Sequence, residues 1–443
     1  MFFPHPCLRR YSNRQNFDRM MLSPSQNSIL NLFFGVTCIG TFVALVGILI
    51  YYICAFAAQS LGSHAFDWLL GIFSDFVAIM SASLSESPYL AEGASYPPLA
   101  IAMLYPFAWI CRDLFAPYKN VPLSVDELTA RVVCRPQFWF AYVLFFSVCT
   151  SLILFAVLKK YRMGLLPSLK LATILILSTP FVYAVMRGNV IYFALIFLLL
   201  FLLWYDHANA FLRELSYVFL ALAGIIKIYP LFFGVFLLHK KRWLESCRVA
   251  VYFALGTFLS FFLYRDALDN FQPFLQQLFS FMNEGERLLS GKNLSLTSTL
   301  FKAFHLVSPA QLSSPLFRYT NVIILVLVFL IATITATYTR SNFSRSVIAA
   351  AIVVLIPSIS YFYVLTFTLI PFLEFLKSFD SHSRRKKIFY TVLFSLLFLT
   401  PTILSSHFLG HSLIIMLMLI TEARAVMQKE ILPTLTIKKS NDK

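Results

Sequence analysis

Asp75 is the side chain in this sequence that is best placed to act as a general base. On a helical projection it shares one face with Gly71, Ala78 and Ala82, small residues that leave space beside the carboxylate for a bulky ligand. A positioned carboxylate can take a proton from an attacking hydroxyl group. The same spacing also fits a solvated acid on the polar face of an interfacial helix. Asp67, on the neighbouring strip, is the reserve candidate.

Lys227 is a cation inside an otherwise apolar stretch, residues 215–238. It precedes His239 and the basic cluster after it by about 18 Å of helix at ~1.5 Å per residue, farther than a lysine side chain reaches toward water. An ammonium at that depth requires an anion or a polar cavity, and phosphate is a suitable anion. Pro230 interrupts the helix there and exposes carbonyl groups. The alternative is a buried ion pair.

Arg187 and Lys292 are two further cations that suit a phosphate group. Arg187-Gly188-Asn189 interrupts two apolar runs, either as a plain turn or as a polar cap on a cavity. Lys292 precedes Asn293-Leu294-Ser295, which offers amides and also matches the weak Asn-x-Ser glycosylation pattern. The residues predicted to line a substrate cavity are Tyr96, Asn189, Tyr229, Asn293, Ser295, Tyr361 and Tyr363.

The composition requires lipid around the elements that position these residues. Of 443 residues, 59% are hydrophobic and only 13% are charged, and the mean hydropathy is +0.76. An ordinary soluble domain has about 25% charged residues. So much apolar surface cannot be hidden in one water-surrounded core, and the sequence therefore predicts membrane-spanning helices.

The basic residues predict which loops face the cytoplasm. The chain has 36 Lys and Arg against 20 Asp and Glu, a net charge of +16. The basic residues cluster between apolar runs, as the positive-inside rule describes for cytoplasmic loops. The clusters lie at 240–242, at 384–387, at Arg340 and Arg345 and in the C-terminal tail. Such loops face anionic lipid head groups, which argues against a nucleic-acid partner.

The apolar runs predict an all-α polytopic membrane protein with a bundle of about 11–12 transmembrane helices, several of them shorter than the ~20 residues of a full span. We expect a cytoplasmic N-terminal segment at 1–28, a transmembrane domain at 29–425 and a cytoplasmic tail at 426–443. In this count the basic cluster Lys159, Lys160 and Arg162 falls on the non-cytoplasmic side of the membrane, which disagrees with the positive-inside rule. The runs are 29–57, 97–111, 137–158, 166–186, 190–204, 215–238, 248–264, 318–338, 346–358, 361–376, 388–405 and 409–420.

Two hydrophilic loops, 59–95 and 265–317, are too long to be simple connections, and both fall on the non-cytoplasmic side. Each has the i, i+3, i+4, i+7 pattern of an amphipathic helix. We expect these helices to lie in the membrane interface with the apolar face toward lipid. The apolar positions are Phe66, Leu69, Leu70, Phe73, Val77, Met80 and Leu84 in the first loop, and Phe271, Phe274, Leu275, Leu278 and Met282 in the second.

Several kinds of chemistry have no support in the sequence. The seven cysteines are scattered and several lie in apolar segments, which is typical of buried small side chains rather than of disulfides or a metal site. There is no Gly-rich phosphate loop, no Walker lysine, no His-Glu-x-x-His and no Asp-rich nucleotide-sugar motif. A substrate activated in advance on a lipid fits better than a nucleotide, with no cofactor and no metal.

The order of the motifs resembles the GT-C superfamily, and most closely glycosyltransferase family 87, the polyprenyl-phosphate-mannose-dependent α-mannosyltransferases of bacterial envelopes. The sequence departs from these relatives at Tyr361 and Tyr363, where they often carry a histidine. The motifs in order are Asp75-Phe76, Pro88-Tyr89, Tyr96-Pro97-Pro98-Leu99, Arg187-Gly188-Asn189, Lys227-Ile228-Tyr229-Pro230 and Asn293-Leu294-Ser295.

The resemblance implies an inverting hexosyl transfer, mannose-like, from a polyprenyl-phosphate donor to a lipid-linked or envelope glycan acceptor. Asp75 would deprotonate the acceptor, and Lys227, Arg187 or Lys292 would hold the charge of the leaving phosphate. It also implies a GT-C-like fold in the inner (plasma) membrane, with the active site on the exterior, periplasmic face.

Two alternatives remain open from the sequence. An envelope polysaccharide ligase or polymerase would also use a long exterior loop, but would rely on arginines there, and the second loop has only a few, among them Arg265 and Arg287. A lipid or solute transporter often has internal repeats and paired broken helices, and no convincing repeat is present.

Overall fold

A computed structural model describes residues 22–57, 73–91, 94–118, 124–161, 163–283, 287–288, 290–307, 315–399 and 409–433. Within these ranges the chain is mainly helical, and an isolated β-bridge joins Asn293 and Tyr361. The first ten helices are α1 (Pro24–Ala57), α2 (Ser74–Leu84), α3 (Pro88–Ala91), α4 (Pro98–Ala102), α5 (Tyr105–Ile110), α6 (Arg112–Phe115), α7 (Val125–Val133), α8 (Pro136–Tyr161), α9 (Leu165–Leu177) and α10 (Thr179–Arg187). The next eleven are α11 (Ile191–Trp204), α12 (Ala210–Ile226), α13 (Val235–His239), α14 (Trp243–Ser260), α15 (Phe271–Asn283), α16 (Leu296–Val307), α17 (Pro315–Tyr338), α18 (Asn342–Leu355), α19 (Leu369–Lys377), α20 (Arg384–Leu399) and α21 (Leu409–Val426).

The all-α polytopic membrane fold is confirmed. Among the described residues, four helical segments are long and apolar enough to cross a membrane, and two bent pairs raise the number to six. The bent pairs are Pro98–Ile110 with Arg112–Tyr118 and Leu165–Leu177 with Thr179–Arg187, at 94° and 56°. Shorter apolar helices such as Ile191–Trp204 complete the bundle. A helix can end at membrane depth where neighbouring protein forms hydrogen bonds with the backbone groups at its end.

Two antiparallel helices define the two ends of the bundle. α11 begins just after Asn189 and ends near Asp206, and α12 returns from Ala210 to Lys227. At ~1.5 Å per residue, their 14 and 17 residues separate the two ends by about 20–25 Å. We call the end that contains Asp75 and Lys227 the Asp75 end, and the other the basic end.

The basic end collects the cationic clusters, including the one that the sequence count misplaced. The Lys160 ammonium donates to the Leu202 carbonyl at 2.6 Å, and Lys240 pairs with Asp206, so both clusters lie at the same end. Lys159, one residue earlier on α8, lies there too. The placement of this cluster on the opposite side was wrong; its third member, Arg162, lies outside the described residues.

Two differences from the predicted spans explain that correction. The stretch from Pro98 to the start of α8 begins and ends at the Asp75 end. The Pro98 carbonyl accepts a hydrogen bond from Tyr264, and Phe138 packs on Phe73. A bend of 94° turns this stretch back, so it does not cross the bundle. Residues 215–238, counted as one span, instead form two segments that meet at Lys227, the extended residue that ends α12.

The helix predicted in the first long loop exists, but its place is not the lipid interface. Val77 and Met80 on α2 are fully buried, and Ala82, on the opposite side of the helix, is buried as well. Both sides of α2 therefore pack against protein, which corrects the expected lipid-facing cover for the described part of this loop. Residues 58–72, which include Asp67, lie outside the described residues.

The helix predicted in the second long loop is confirmed as α15, and it packs on one side only. Phe274 is buried against the rings of Tyr89 and Phe261, at centroid distances of 5.4 and 5.8 Å. Phe279, on the other side of the helix, is exposed, and Phe271 at the start of α15 is half exposed although its ring packs on Phe261 at 5.5 Å. This exposed apolar side agrees with a helix that lies at a membrane surface.

Candidate active site

Asp75 lies in the first turn of α2, and both of its carboxylate oxygens are held by residues at the C-terminal end of α10. The Arg187 guanidinium donates to Oδ1 at 2.5 Å, and the Asn189 amide donates to Oδ2 at 2.8 Å. The Asp75 side chain is 13% exposed and that of Arg187 is 28% exposed. Two donors on different oxygens fix the plane of the carboxylate while it stays accessible to a ligand.

The backbone at the end of α10 brings Arg187 and Asn189 to α2. The Phe73 amide donates to the Met186 carbonyl at 2.7 Å, which ties the start of α2 to the end of α10. Gly188 ends α10 in the left-handed region, at φ 63°, where a side chain is strained. A Cβ on Gly188 would lie 2.3 Å from Cβ of Phe76. Only glycine permits this close approach.

Asn189 links the carboxylate to Tyr96 and thereby to Lys227. Its fully buried amide also donates to the Tyr96 hydroxyl at 3.1 Å. The Lys227 ammonium lies 4.3 Å from the centroid of the Tyr96 ring and 5.8 Å from that of Tyr363, within cation–π range. Among the described residues no carboxylate forms an ion pair with Lys227, which argues against the alternative of a buried ion pair.

The helix break predicted at Lys227 is present. α12 ends at Ile226, Lys227 is extended at φ −146° and ψ 120°, and a 3-10 helix starts at Tyr229 with Pro230 in its first turn. The Tyr229 hydroxyl is buried and has no hydrogen-bond partner among the residues that the structure describes. A break at this point presents the lysine at the end of a helix rather than on its side.

Aromatic rings form a wall beside Lys227. Tyr183 stacks on Tyr363 with centroids 6.4 Å apart and an interplanar angle of 24°, and Tyr361 lies edge-on to Tyr363 at 6.1 Å. Rings with hydroxyl groups offer both the apolar face and the polar edge that a sugar ring requires. Tyr183 is the member of this wall that we did not predict, because inside an apolar run it looks like any buried aromatic residue.

Asn293 and Ser295 fasten the second long loop to the segment before Tyr361. The Asn293 amide donates to the carbonyls of Arg287 and Ser358 at 3.2 and 3.0 Å, and its oxygen accepts from the Ser360 amide at 3.0 Å. The Ser295 hydroxyl donates to the Ser358 carbonyl at 2.8 Å. Both side chains are buried, so the Asn-x-Ser pattern serves an internal contact here, and the two residues support the site from behind.

Lys292, next to this fastening, remains accessible and faces the positive charge of Arg187. Desolvation, and after it the Arg187 charge, lower the pKa of Lys292 below its usual range. A second support reaches the site through Tyr89, whose hydroxyl donates to the Tyr96 carbonyl at 2.8 Å. The Pro88-Tyr89 motif therefore holds the segment that presents Tyr96.

The contacts thus join most of the predicted site residues into one group at the Asp75 end. Asp75, Arg187, Asn189, Tyr96 and Lys227 are linked directly, Tyr363 through Lys227 and Tyr361 through Tyr363. Asp67, the reserve base, lies outside the described residues. The described residues contain no group of three His, Cys, Asp or Glu side chains placed for a metal ion, and the prediction of metal-independent chemistry stays a prediction.

Comparison with known proteins gives one match. The sequence model of glycosyltransferase family 87 matches residues 95–359, a stretch that contains Tyr96, Arg187, Asn189 and Lys227. Asp75 precedes this stretch, and its contacts with Arg187 and Asn189 join it to the matched part. No curated protein and no solved structure matches the chain. The family model covers more than half of the 443 residues, and the chain therefore belongs to glycosyltransferase family 87.

Proposed function

We propose that this glycosyltransferase moves a hexose, mannose-like, from a polyprenyl-phosphate donor to a lipid-linked or envelope glycan acceptor, with inversion and with Asp75 as the general base. The observation that carries the proposal is the oriented Asp75 carboxylate in one contact network with Lys227. Attack by a hydroxyl group requires a base, and departure of a phosphate requires a cation. Asp75 offers the first, and Lys227, which no carboxylate among the described residues pairs with, offers the second.

The proposed step needs no other reactant. The acceptor hydroxyl gives its proton to Asp75 as its oxygen bonds to the anomeric carbon. The bond from that carbon to the phosphate oxygen breaks, and its electron pair leaves with the polyprenyl phosphate. Lys227 and Lys292 stabilise the charge that develops there. Arg187, already paired with Asp75, chiefly orients the base and adds positive potential.

The membrane and its sides follow from the same proposal. Under the positive-inside rule the basic end faces the cytoplasm, and the Asp75 end faces the exterior of the inner (plasma) membrane. The partners are then membrane lipids, the polyprenyl-linked sugar and a glycolipid or glycan acceptor, with no nucleic acid. Family membership favours this transfer over the ligase and transporter alternatives.

The test is product formation from a defined donor. Membranes containing the protein are incubated with radiolabelled polyprenyl-phosphate mannose, and matched samples receive radiolabelled GDP-mannose with donor synthesis blocked. We expect labelled glycolipid or glycan only from the lipid-linked donor. Transfer from the nucleotide sugar alone would contradict the proposed donor, and label that crosses the membrane unchanged would favour transport.

A further inference from the structure

A second cavity opens at the basic end, one helix length away from Asp75. It has a volume of about 710 Å³ and lies where α8, α11 and α19 end. The proposed transfer uses none of its residues. Its polar lining comes from Lys160, Asp206, His207, Asn342, Glu374 and Lys377.

The cavity and its rim carry four cationic groups, Lys160, Lys377, Lys240 and Arg242, against two carboxylates, Asp206 and Glu374. Asp206 is occupied by Lys240 and Arg242 at the rim. The buried Glu374 accepts a hydrogen bond from the Tyr161 hydroxyl at 2.9 Å. Lys160 and Lys377 then face Glu374 alone. One N–H group of the Lys160 ammonium donates to the Leu202 carbonyl, and its other two N–H groups can donate to a ligand.

The position of the cavity indicates where an anion would come from. Lys160 lies in the last turn of α8, a helix long and apolar enough to span the membrane. The preceding turns of α8 expose Leu152 and Phe155, which suit a lipid-facing side. The end of such a span lies at the depth of the lipid head groups. The remaining wall is apolar, with Leu202 and Ile370 among its members.

We propose that this cavity binds the phosphodiester head group of a phospholipid, with the phosphate between Lys160 and Lys377. The single negative charge of a diester offsets one of the two excess positive charges in and beside the cavity. The apolar wall accommodates the glycerol and the first methylene groups. Binding here would anchor the ends of α8, α11 and α19 to the lipid leaflet at the basic end.

The experiment measures lipid retained by the purified full-length protein. Protein delipidated in detergent is titrated with phosphatidylglycerol, and bound lipid is counted by native mass spectrometry. Lys377→Gln is the main variant because Lys377 is exposed and its loss leaves the packing intact; Lys160→Gln is the second. Lys159→Gln is the matched control, an exposed neighbour that does not line the cavity.

We expect each cavity variant to weaken phosphatidylglycerol binding about fivefold, the effect of about 1 kcal/mol per basic residue, and Lys159→Gln to bind as the wild type does. Equal binding by wild type and Lys377→Gln, or equal loss in Lys159→Gln, would overturn the proposal. Inorganic phosphate is the other arm. We expect no competition at millimolar concentration, and displacement of the lipid by it would assign the site to free phosphate instead.

Discussion

The Asn189 amide is shared between the Asp75 carboxylate and the Tyr96 hydroxyl, and it is fully buried. Its own oxygen accepts from the Ile191 amide at 3.0 Å, which fixes the side chain. The base and the ring beneath Lys227 are therefore held in register by one residue. Such preorganisation reduces the cost of arranging an acceptor and a leaving group.

The proposed departure of the phosphate depends most directly on the charge of Lys227. In Lys227→Gln the amide keeps much of the side-chain length but has no charge for the leaving phosphate. We expect kcat/KM for the lipid-linked donor to fall about 10–100-fold, the effect of a lost charge-assisted hydrogen bond of about 1.5–3 kcal/mol. Lys159→Gln serves as the control, and equal kinetics in both variants would exclude Lys227 from donor binding.

The lowered pKa of Lys292 predicts how transfer depends on pH. Because its pKa is lowered, the ammonium charge is present below that lowered value and is lost as the pH rises through it, earlier than for an ordinary lysine. Donor affinity should therefore weaken on the alkaline side. In Lys292→Arg the charge persists, so we expect the alkaline loss to move to higher pH. An unchanged alkaline limb in a profile of donor KM against pH would argue against contact with the phosphate.

At the scale of elements, the packing of α2 on the end of α10 decides whether the base meets its partners. Gly188 is the tightest point of this contact, since its φ is positive and Cβ of Phe76 lies where a methyl group would be. Arg187 and Asn189 flank it and hold Asp75. A shift of this joint would move both donors away from the carboxylate together.

Gly188→Ala tests this joint. We expect a loss of stability of about 1–2 kcal/mol from the left-handed backbone alone, with more from the overlap with Phe76, and transfer reduced at least tenfold. Thermal unfolding in detergent and transfer assays measure the two effects. Gly35→Ala is the control, because nothing lies within 4 Å of the added Cβ. A Gly188→Ala protein as stable and active as the control would refute the close approach.

The sequence predicted helices, helix breaks and polar positions better than it predicted whether a helix is buried in protein or lies against lipid. The break at Lys227 was readable because Pro230 follows a lone cation in an apolar run. The burial of α2 was not, because amphipathic spacing is the same whether the apolar side meets lipid or protein. Contacts across more than 100 residues, such as Arg187 with Asp75, leave no local pattern, and family order alone suggested them.

For the whole molecule, the two ends of the bundle give a labelling test of topology. In a variant with all cysteines replaced by serine, including the exposed Cys134 and Cys247, single cysteines are introduced at Lys159, Lys241 and Asp269. We expect a membrane-impermeant thiol reagent to reach Lys159→Cys and Lys241→Cys from one side and Asp269→Cys from the other. Labelling of Lys159→Cys together with Asp269→Cys would contradict the re-entrant turn at 98–118.

The transfer rate of Asp75→Asn tests the central claim most directly. The substitution keeps the size of the side chain and removes its ability to take a proton, so we expect kcat to fall about 10²–10⁴-fold while the donor KM changes little. Glu214→Gln is the control, since Glu214 is also paired with an arginine, Arg248 at 2.8 Å, far along the bundle, and it should transfer at the wild-type rate. Transfer by Asp75→Asn within about threefold of the control, far short of a lost general base, would contradict the account.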